Sequence, residues 1–471
     1  MKHNRKLSAC ITVCYFGLYI IIALSFLIRQ PFGSPPDEVN RYLIPQYIAR
    51  NATLPNGFDE SIRIPGYGFS YAFQPILPYI FQGWTMRGVR LFTDSQEALV
   101  YAARSVNFLF GVLMALFVLL LAKKWFCKPC WQWFFAFLVT FLPQAIFMHT
   151  YVNTESCCML STVLMLYGLT CGLNDGFRWC SSVIMASGII LCALSYYNAY
   201  GFILSCILLF TASYLYPSNG KLKFHWKAFL KKGSVISALV LLGIGWWFIR
   251  SYILYDGDFL GLKTREYCAS LFAEQAHIPA NTATWKNQGY SVWNMLSQSD
   301  FSINSQMSFI GIFGTMSIPT SIWVYRFYRL LFFAGPIMCL AIPASKVSAA
   351  GSGAMQLKNR KYLKCFFHCN LLFCIVMPLI LSIQYSYATD YQPQGRYLLP
   401  ALVPLAYYSV RGMEKALGIA HDWLLNKNFD VHRLQKLERV FVCLLCVIIA
   451  ICLIVTVYGY VFEYYAANPL G

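Results

Sequence analysis

The chain has 471 residues, of which 58% are hydrophobic and only 12% are charged. Soluble domains carry about 25% charged residues, so this composition excludes an ordinary soluble enzyme and indicates that lipid surrounds most of the chain. The net charge of +18 would suit a nucleic-acid-binding protein. However, the basic residues collect in segments predicted on one side of a membrane, so no nucleic-acid partner is predicted.

Apolar runs long enough to cross a bilayer recur along the whole chain. No polar stretch is long enough to form a separate soluble domain, so residues 1–471 are predicted to form a single integral membrane domain. The predicted fold class is an all-α polytopic membrane protein with about 11 transmembrane helices. We place them at 7–28, 100–122, 131–149, 157–173, 181–197, 200–216, 234–255, 317–343, 366–385, 397–418 and 440–462.

The first run follows Lys2, Arg5 and Lys6 and is about 22 residues long, which exceeds the core of a signal peptide. We therefore predict an uncleaved first helix with its N-terminus in the cytoplasm. Basic segments at 221–232, 346–364 and 411–439 then fall on the same side, as the positive-inside rule requires. The runs at 181–197 and 200–216 are short, and either two full helices or a re-entrant hairpin would fit them.

Two long hydrophilic segments, at about 29–99 and 256–316, fall on the predicted outer face. The first is rich in Pro, Gly and aromatic residues, which favours turns and short helices. The second carries Trp285, Tyr290 and Trp293, whose rings either settle at the membrane interface or stack on sugars. Two such loops on a many-helix body favour a catalyst or a transporter over a simple anchor.

An acidic pair, Asp37 and Glu38, directly follows the prolines Pro35 and Pro36 where the first helix leaves the membrane. Acids at a helix N-terminus are a common structural preference, because they face free amides and the positive end of the helix dipole. The position just outside the membrane also suits chemistry on lipid head groups. Both interpretations remain open on the sequence alone.

Several basic and polar residues could act with this pair. Arg326 and Arg329 lie three positions apart on one face of a predicted span, where a charge is costly unless it faces protein, a cavity or the interface. Glu155, with His149 and Asn153 nearby, either completes a metal site with Asp37 or caps a helix. No obligatory cofactor or metal is predicted, although a divalent metal is compatible with these residues.

The chain resembles the GT-C class of polyprenyl-phosphate-sugar glycosyltransferases, and within it the membrane-protein family called domain-of-unknown-function 2142. That family has a Pro-Pro-Asp-Glu element, matched at 35–38, and a Gly-Arg-Tyr-x-x-Pro element, matched at 395–400. It also has an aromatic, Gly-rich approach to a mid-chain helix, similar to 308–314. Departures are Arg41 where a His is expected, 153–155 in place of Asn-Pro-Asp, and the absence of a Lys near 195–200.

The resemblance implies an inverting transfer of a sugar from a polyprenyl-phosphate donor to the hydroxyl of a surface glycan or other acceptor. The enzyme would be a multi-pass protein of a bacterial cell membrane, with its active site on the outer face. Asp37 would be the base and Glu38 would orient it, although the two roles could be exchanged. The donor phosphate would bind Arg396, Arg326, Arg329 and Arg41, because guanidinium groups pair with phosphate oxygens. Acceptor or substrate contacts would come from Glu155, Asn153, His149, Gln394 and Tyr397.

This mechanism requires Asp37 and Arg396 to meet at one outer site, although some 360 residues separate them. Alternatives are a transporter or flippase of lipid-linked glycans, a glycan polymerase or ligase, and a non-catalytic assembly partner. Broken helices and charges near mid-membrane would favour the transporter. A late, basic main loop would favour the polymerase or ligase.

Overall fold

The computed structural model describes residues 2–218, 221–278, 281–343 and 361–468, and these form a bundle of helices. Seven of the described helical segments are long and apolar enough to cross a membrane, and two apolar helices are shorter. The chain is thus an all-α membrane protein, as predicted, while the count of eleven spans remains a prediction. The seven are Ala9–Arg29, Gln96–Trp125, Glu155–Asp175, Trp226–Leu254, Ile322–Ala341, Tyr362–Ala388 and Val431–Ala467, and the shorter two are Trp179–Ala193 and Tyr197–Ser213.

The first half of the chain forms ten helices among the described residues, with 3-10 turns at Glu60–Ile62, Tyr71–Phe73 and Tyr197–Ala199. They are α1 (Lys2–Arg29), α2 (Glu38–Asn51), α3 (Leu77–Val89), α4 (Gln96–Trp125), α5 (Pro129–Thr140), α6 (Pro143–Met148), α7 (Glu155–Asp175), α8 (Trp179–Ala193), α9 (Tyr200–Ser213) and α10 (Trp226–Leu254). Strands β1 (Leu215–Ser218) and β2 (Lys221–Phe224) pair antiparallel between α9 and α10.

The second half adds nine helices over the described residues, with the antiparallel strands β3 (Ile312–Phe313) and β4 (Ile318–Pro319). The helices are α11 (Leu262–Phe272), α12 (Val292–Gln298), α13 (Phe301–Gly311), α14 (Ile322–Arg329), α15 (Gly335–Ala341), α16 (Lys361–Ala388), α17 (Leu402–Leu425), α18 (Val431–Thr456) and α19 (Phe462–Ala467). Irregular turns are 3-10 at Gln275–His277 and Gly395–Ala401, and π at Leu330–Ala334 and Val457–Val461. Most of the predicted basic segment 346–364 lies outside the described residues.

Helix α4 sets the two ends of the bundle. Arg104, near its start, contacts Glu38, and the carbonyl oxygen of Trp125, at its end, accepts a hydrogen bond from Arg411. At a rise of 1.5 Å per residue these two points lie roughly 30 Å apart, which is about the thickness of a bilayer core. We call the first the site end and the second the opposite end. A single large apolar cluster fills the space between them and includes the buried Trp125 and Trp131.

The two long predicted loops meet at the site end. The hydroxyl of Tyr255 accepts a hydrogen bond from the Gly57 amide at 3.1 Å, and the Glu274 amide donates to the Gly66 carbonyl at 2.9 Å. Helices α2 and α3 form within the first loop and pack against each other and on the start of α4. The first loop is therefore a helical layer over the bundle, not a free polar segment.

Three predicted spans are interrupted in the structure. The span at 131–149 divides into α5 and α6, and Pro143 occupies the first position of α6, where its missing N–H costs nothing. A π turn at Leu330–Ala334 lies within the span at 317–343. The span at 397–418 begins as the 3-10 turn Gly395–Ala401 before α17. The last of these interruptions carries Arg396 and Tyr397.

The short helices α8 and α9 are joined by a turn that contacts both long loops. At this junction the Leu194 carbonyl accepts a hydrogen bond from Leu77 at 3.1 Å, and the Tyr197 hydroxyl donates to the Leu260 carbonyl at 2.6 Å. At the other end of the pair the rings of Phe177 and Phe210 lie 4.8 Å apart. Both helices are apolar and shorter than the seven long segments, and their course as two full spans remains a prediction.

Candidate active site

Asp37 lies at the N-terminus of α2 in a left-handed backbone conformation, with φ 62° and ψ 4°. Its side chain makes no hydrogen bond to the free amides of the helix, so its carboxylate does not cap α2. Residues other than glycine seldom adopt this conformation, although Asp and Asn tolerate it best, and such strain is common at functional sites. The Asp37 carboxylate is therefore directed away from the free amides at the start of its helix.

The carboxylate of Asp37 meets the guanidinium of Arg396, with 2.8 Å between Oδ2 and Nη2. The predicted convergence of these two residues is confirmed. The 3-10 turn Gly395–Ala401 presents Arg396, and it packs so closely on α13 that a β-carbon at Gly395 would overlap the backbone of Phe309. The Asp37 side chain is 33% exposed and the Arg396 side chain only 5%, so the acid is the accessible member of the pair.

Arg41 lies between two carboxylates. One turn along α2 from Asp37, it donates both terminal nitrogens to Glu155, with 2.9 Å between Nη2 and Oε1. Its Nη2 is also 3.7 Å from Oδ2 of Asp37. Glu155 occupies the first position of α7 and is buried. Arg41 was predicted to bind the donor phosphate. In the structure its two terminal nitrogens donate to Glu155 instead.

Glu38 is fully buried and holds Arg104 through two hydrogen bonds of 2.8 and 2.6 Å. It also accepts from the backbone amides of Gly33 and Val152, both at 3.1 Å. Arg104 in turn donates to carbonyl oxygens at the end of α1. Contacts of Glu38 and Arg104 therefore hold α1, α2, α4 and the turn before α7 together. Because Glu38 is fully buried in these contacts, its carboxylate is not accessible to a substrate in this structure.

Sequence reasoning missed Arg104, although a signal for it exists. Arg104 is the one charged residue over the residues 98–122 of α4, an otherwise apolar and neutral stretch. A charge in such a helix almost always faces a partner inside the protein. Here that partner is the second acid of the Pro-Pro-Asp-Glu element. We call the six ionised residues the site cluster, and it consists of Asp37, Glu38, Arg41, Arg104, Glu155 and Arg396.

The electrostatics of the site cluster keep Asp37 ionised. Burial by itself would raise the pKa of Asp37, but the guanidinium groups of Arg396 and Arg41 outweigh burial and hold that pKa below its usual value. The half-buried Tyr71 covers Arg41, with 5.4 Å between the guanidinium carbon and the ring centre. Burial, reinforced by the charge of Asp37, raises the pKa of Tyr71 to about 12, so the phenol stays protonated.

His149 and Asn153 support the turn that presents Glu155 and make no contact with Asp37. The Asn153 side chain donates to the Met148 carbonyl at 2.8 Å and accepts from the Ser156 amide at 2.8 Å. His149 Nδ1 lies 2.6 Å from the Ser156 hydroxyl. Both side chains are buried, so they position α7 and are not exposed to a ligand in this structure.

Tyr397 and Gln394 lie beside Arg396. The Tyr397 hydroxyl is 3.4 Å from Nη2 of Arg396 and donates to the side chain of Gln392. The Gln394 side-chain oxygen is buried without a hydrogen-bond partner. Tyr397 thus contacts Arg396, while the assignment of Tyr397 and Gln394 to the acceptor or substrate remains a prediction.

Arg326 and Arg329 are not joined to the site cluster by any ion pair or hydrogen bond among the described residues. Arg326 is exposed and lies over the ring of Trp323 at 4.9 Å. Nε of Arg329 is buried without a partner. Their assignment to the donor phosphate remains a prediction.

In the part of the chain that the structure describes, no group of three or more His, Cys, Asp or Glu residues could hold a metal ion. Asp37 and Glu155, the two acids assigned to a possible metal site, instead flank the Arg41 guanidinium. The site therefore offers an accessible carboxylate backed by buried cations. Two nitrogens of Arg396, Nε and Nη1, are buried without a partner, so they are donors that an anion entering the site would satisfy.

No family model and no curated protein matches the chain, so the resemblance to the domain-of-unknown-function 2142 family is not confirmed. Solved structures do match. The oligosaccharyltransferase of Archaeoglobus fulgidus, tethered with an acceptor peptide, has a TM-score of 0.54 at 15% identity over 94% of this chain and 55% of that chain. ArnT from Cupriavidus metallidurans in the apo state has a TM-score of 0.52 at 11% identity over 96% and 76%.

The archaeal oligosaccharyltransferase AglB, in complex with an inhibitory peptide and a dolichol-phosphate, has a TM-score of 0.50 at 16% identity over 95% and 55%. This chain thus spans just over half the length of the oligosaccharyltransferases that it matches. At these identities the likeness concerns the fold alone. The chain has the fold of the GT-C class of membrane glycosyltransferases.

Proposed function

We propose that the chain is a membrane glycosyltransferase that moves a sugar from a polyprenyl-phosphate donor to the hydroxyl of a glycan or other surface acceptor. The reaction would invert the sugar and take place at the outer face of a bacterial cell membrane, in the biosynthesis of envelope polysaccharide. The observation that carries the proposal is the ion pair of Asp37 and Arg396, in which the carboxylate is accessible and the guanidinium keeps free nitrogens.

In the proposed reaction Asp37 takes the proton from the acceptor hydroxyl as its oxygen attacks the anomeric carbon of the sugar. The bond between that carbon and the phosphate oxygen breaks, and the lipid phosphate leaves with the electron pair. Arg396 stabilises the leaving phosphate, because a planar guanidinium pairs with two of its oxygens. General-base catalysis of this kind contributes about 10² to 10⁴ in rate.

We further propose that the reaction needs no obligatory metal. The support is the position of Arg41, whose guanidinium lies between the carboxylates of Asp37 and Glu155. Arg41 and Arg396 together balance the charges of the two acids, which is the electrostatic role that a divalent cation would otherwise have. Sugar transfer should therefore survive removal of divalent metals by a chelator.

A transporter or flippase for lipid-linked glycans is the second candidate. The interruptions at 141–142 and at Leu330–Ala334 favour it, since transporters carry broken helices at their binding sites. The charges count against it, because the site cluster lies at one end of the bundle and not midway between the ends. A non-catalytic assembly partner would keep the fold without needing Asp37.

The test is sugar transfer in proteoliposomes from a panel of polyprenyl-phosphate sugars, comparing the unmodified chain with Asp37→Asn. Glu60→Gln is the matched control, because Glu60 is an exposed acid of the same loop. We expect transfer to fall about 10² to 10⁴-fold in Asp37→Asn and to be unchanged in Glu60→Gln.

Equal transfer by Asp37→Asn and the unmodified chain would remove Asp37 as the base. Movement of the intact lipid-linked sugar between leaflets, without transfer to any acceptor, would replace the transferase with the transporter. Absence of both activities over the whole panel would favour the assembly partner.

A further inference from the structure

We propose that Arg265, in the second long loop, is a further ligand of the donor phosphate and binds it together with Arg396. This inference rests on the proposed function and deepens it. Arg265 belongs to α11, a helix within the segment that was predicted only as a hydrophilic loop at 256–316. Four observations carry the assignment: the docking of α11, the path from Arg265 to the site cluster, the unpaired state of its guanidinium, and its charge.

Helix α11 is docked on the segment that precedes Tyr71. The thiol of Cys268 is 3.3 Å from the Gly68 carbonyl, and a β-carbon on Gly68 would overlap the backbone of Ala273. At the start of α11, Gly261 approaches the Phe73 carbonyl just as closely. The helix therefore holds Arg265 in a defined place beside the site.

Two aromatic rings separate Arg265 from the site cluster. The guanidinium carbon of Arg265 lies 4.2 Å from the ring centre of Phe69, and the Phe69 ring is 6.1 Å from that of Tyr71. Tyr71 in turn covers Arg41. Tyr71 thus stands between Arg265 on one side and the ion pairs of Asp37 on the other.

Arg265 has no ion pair and no side-chain hydrogen bond within the described ranges, unlike the arginines of the site cluster. Arg104 and Arg41 each donate hydrogen bonds from two nitrogens to one carboxylate. The nearby acids are engaged elsewhere: Asp258 accepts from Thr264 at 2.8 Å, and Asp390 accepts from Gln392. Among the described arginines at the site, Arg396 has two guanidinium nitrogens without a partner and Arg41 has only Nε, whereas the whole guanidinium of Arg265 is without one.

The charge of Arg265 affects the pKa of Tyr71, as do charges of the site cluster. Burial and Asp37 raise the pKa of Tyr71, whereas Arg41, Arg396 and Arg265 lower it. The charges of Arg265 and Arg396 therefore both act on the Tyr71 phenol. In the proposed complex a phosphodiester lies beside this phenol and accepts from both arginines, and such charge-assisted hydrogen bonds are short and strong.

Arg63 provides a matched control, because each of the two packed segments places one arginine over an aromatic ring of the other. Arg63 lies over the ring of Phe272 in α11 at 3.9 Å, as Arg265 lies over Phe69. However, Arg63 is 4.0 Å from the carboxylate of Glu60 and donates to the Phe58 carbonyl. Substitution of Arg63 therefore removes an equivalent stacking contact without removing a free cation from the site.

The experiment measures binding of sugar-free polyprenyl monophosphate to the full chain in phosphatidylcholine nanodiscs. We expect Arg265→Gln to weaken binding about tenfold or more, Arg265→Lys to restore part of it, and Arg63→Gln to leave it unchanged. Thermal unfolding of the Arg265→Gln and Arg63→Gln variants should be the same. Competition by inorganic phosphate and by phosphatidylglycerol separates recognition of a phosphate group alone from recognition of the polyprenyl lipid.

Unchanged binding in Arg265→Gln, with weakened binding in Arg396→Gln, would overturn the inference and leave the proposed function intact. Unchanged binding in both variants would remove the phosphate site of the proposed function as well. An equal loss in Arg265→Gln and Arg63→Gln would show that the stacking contact, not the charge, is what matters. Equal competition by phosphatidylglycerol would replace the donor with an ordinary anionic lipid.

Discussion

The two ends of the bundle each hold a buried ionic cluster, but the charges are arranged in opposite ways. At the site end the accessible member is a carboxylate, Asp37 at 33% exposure, and the cation behind it, Arg396, is only 5% exposed. At the opposite end the accessible member is a cation, Lys128 at 30%, and the carboxylate behind it, Glu438, is only 4% exposed.

The two clusters also differ in how completely their hydrogen-bonding groups are used. Glu438 accepts from Lys128 at 2.7 and 2.9 Å and from the indole of Trp131 at 2.7 Å, and these contacts tie α18 to α5. Arg396 has two nitrogens without a partner. The contacts of Glu438 thus join two helices, whereas the site cluster has an accessible carboxylate and two guanidinium nitrogens without a partner.

The largest effect on stability is expected inside the site cluster, at Glu38. Glu38→Gln leaves Arg104 buried without its charge partner, which costs about 3–5 kcal/mol of the free energy of unfolding. Asp37→Asn, at the neighbouring position, should cost less, because the Asp37 carboxylate is the accessible member of its pair and Glu38 is fully buried. Both stability losses can be measured by thermal unfolding in detergent, in which the fraction of protein that stays monodisperse is monitored. Equal losses in the two variants would contradict the division between a structural acid and an accessible one.

A smaller loss is expected at the opposite end. Glu438→Gln removes charge-assisted hydrogen bonds to Lys128 and Trp131, which are worth about 1.5–3 kcal/mol. Sugar transfer per folded molecule should be unchanged, since this cluster lies roughly 30 Å from Asp37 by the length of α4. Transfer that falls with Glu438→Gln at constant folded fraction would show that the opposite end takes part in the function.

The pH dependence of stability should separate Asp37 from its neighbours. The pKa of Asp37 is lowered in the folded chain, so the ion pair stabilises the fold above the unfolded pKa near 4, and this contribution is lost as the pH falls through the folded value. The difference in melting temperature between the unmodified chain and Asp37→Asn should stay constant from about pH 8 to pH 4 and shrink below. A difference that already shrinks near neutral pH would mean a raised pKa.

The smallest effect is expected at Arg326, outside both clusters. Arg326→Gln removes an exposed cation above Trp323, and such contacts contribute about 0.5–1 kcal/mol. Binding of polyprenyl monophosphate should stay within about twofold of that of the unmodified chain. A loss as large as that of Arg396→Gln would restore Arg326 as a ligand of the donor phosphate.

The membrane fold could be predicted because hydropathy is a property of whole segments. The long apolar helices α4, α10 and α18 each follow a predicted span within a few residues or extend it. The interruption at 141–142 had a signal in the sequence, because Pro143 follows it and a proline ends or kinks a helix at the preceding residue. The π turn at Leu330–Ala334 had no such signal, because those five residues are all apolar and none is a glycine or proline.

The site was predictable where a motif marked it and not elsewhere. The meeting of Asp37 and Arg396 followed from two matched elements of a family pattern, and the structure confirms it. The division of labour in the acidic pair did not follow, because it depends on Arg104, which lies 66 residues beyond Glu38. Arg265 belongs to no motif, and only the docking of α11 places it beside the site.

The left-handed backbone at Asp37 has a consequence for which acid the position can hold. Asp and Glu are almost equally acidic, so acidity alone does not distinguish them. The local conformation does, because at φ 62° the short Asp side chain is tolerated and longer side chains are disfavoured. Under selection, an exchange to Asn would keep the shape and lose the base, whereas an exchange to Glu would keep the acid and strain the turn. The geometry of one peptide unit thus determines which carboxylic acid this position can carry.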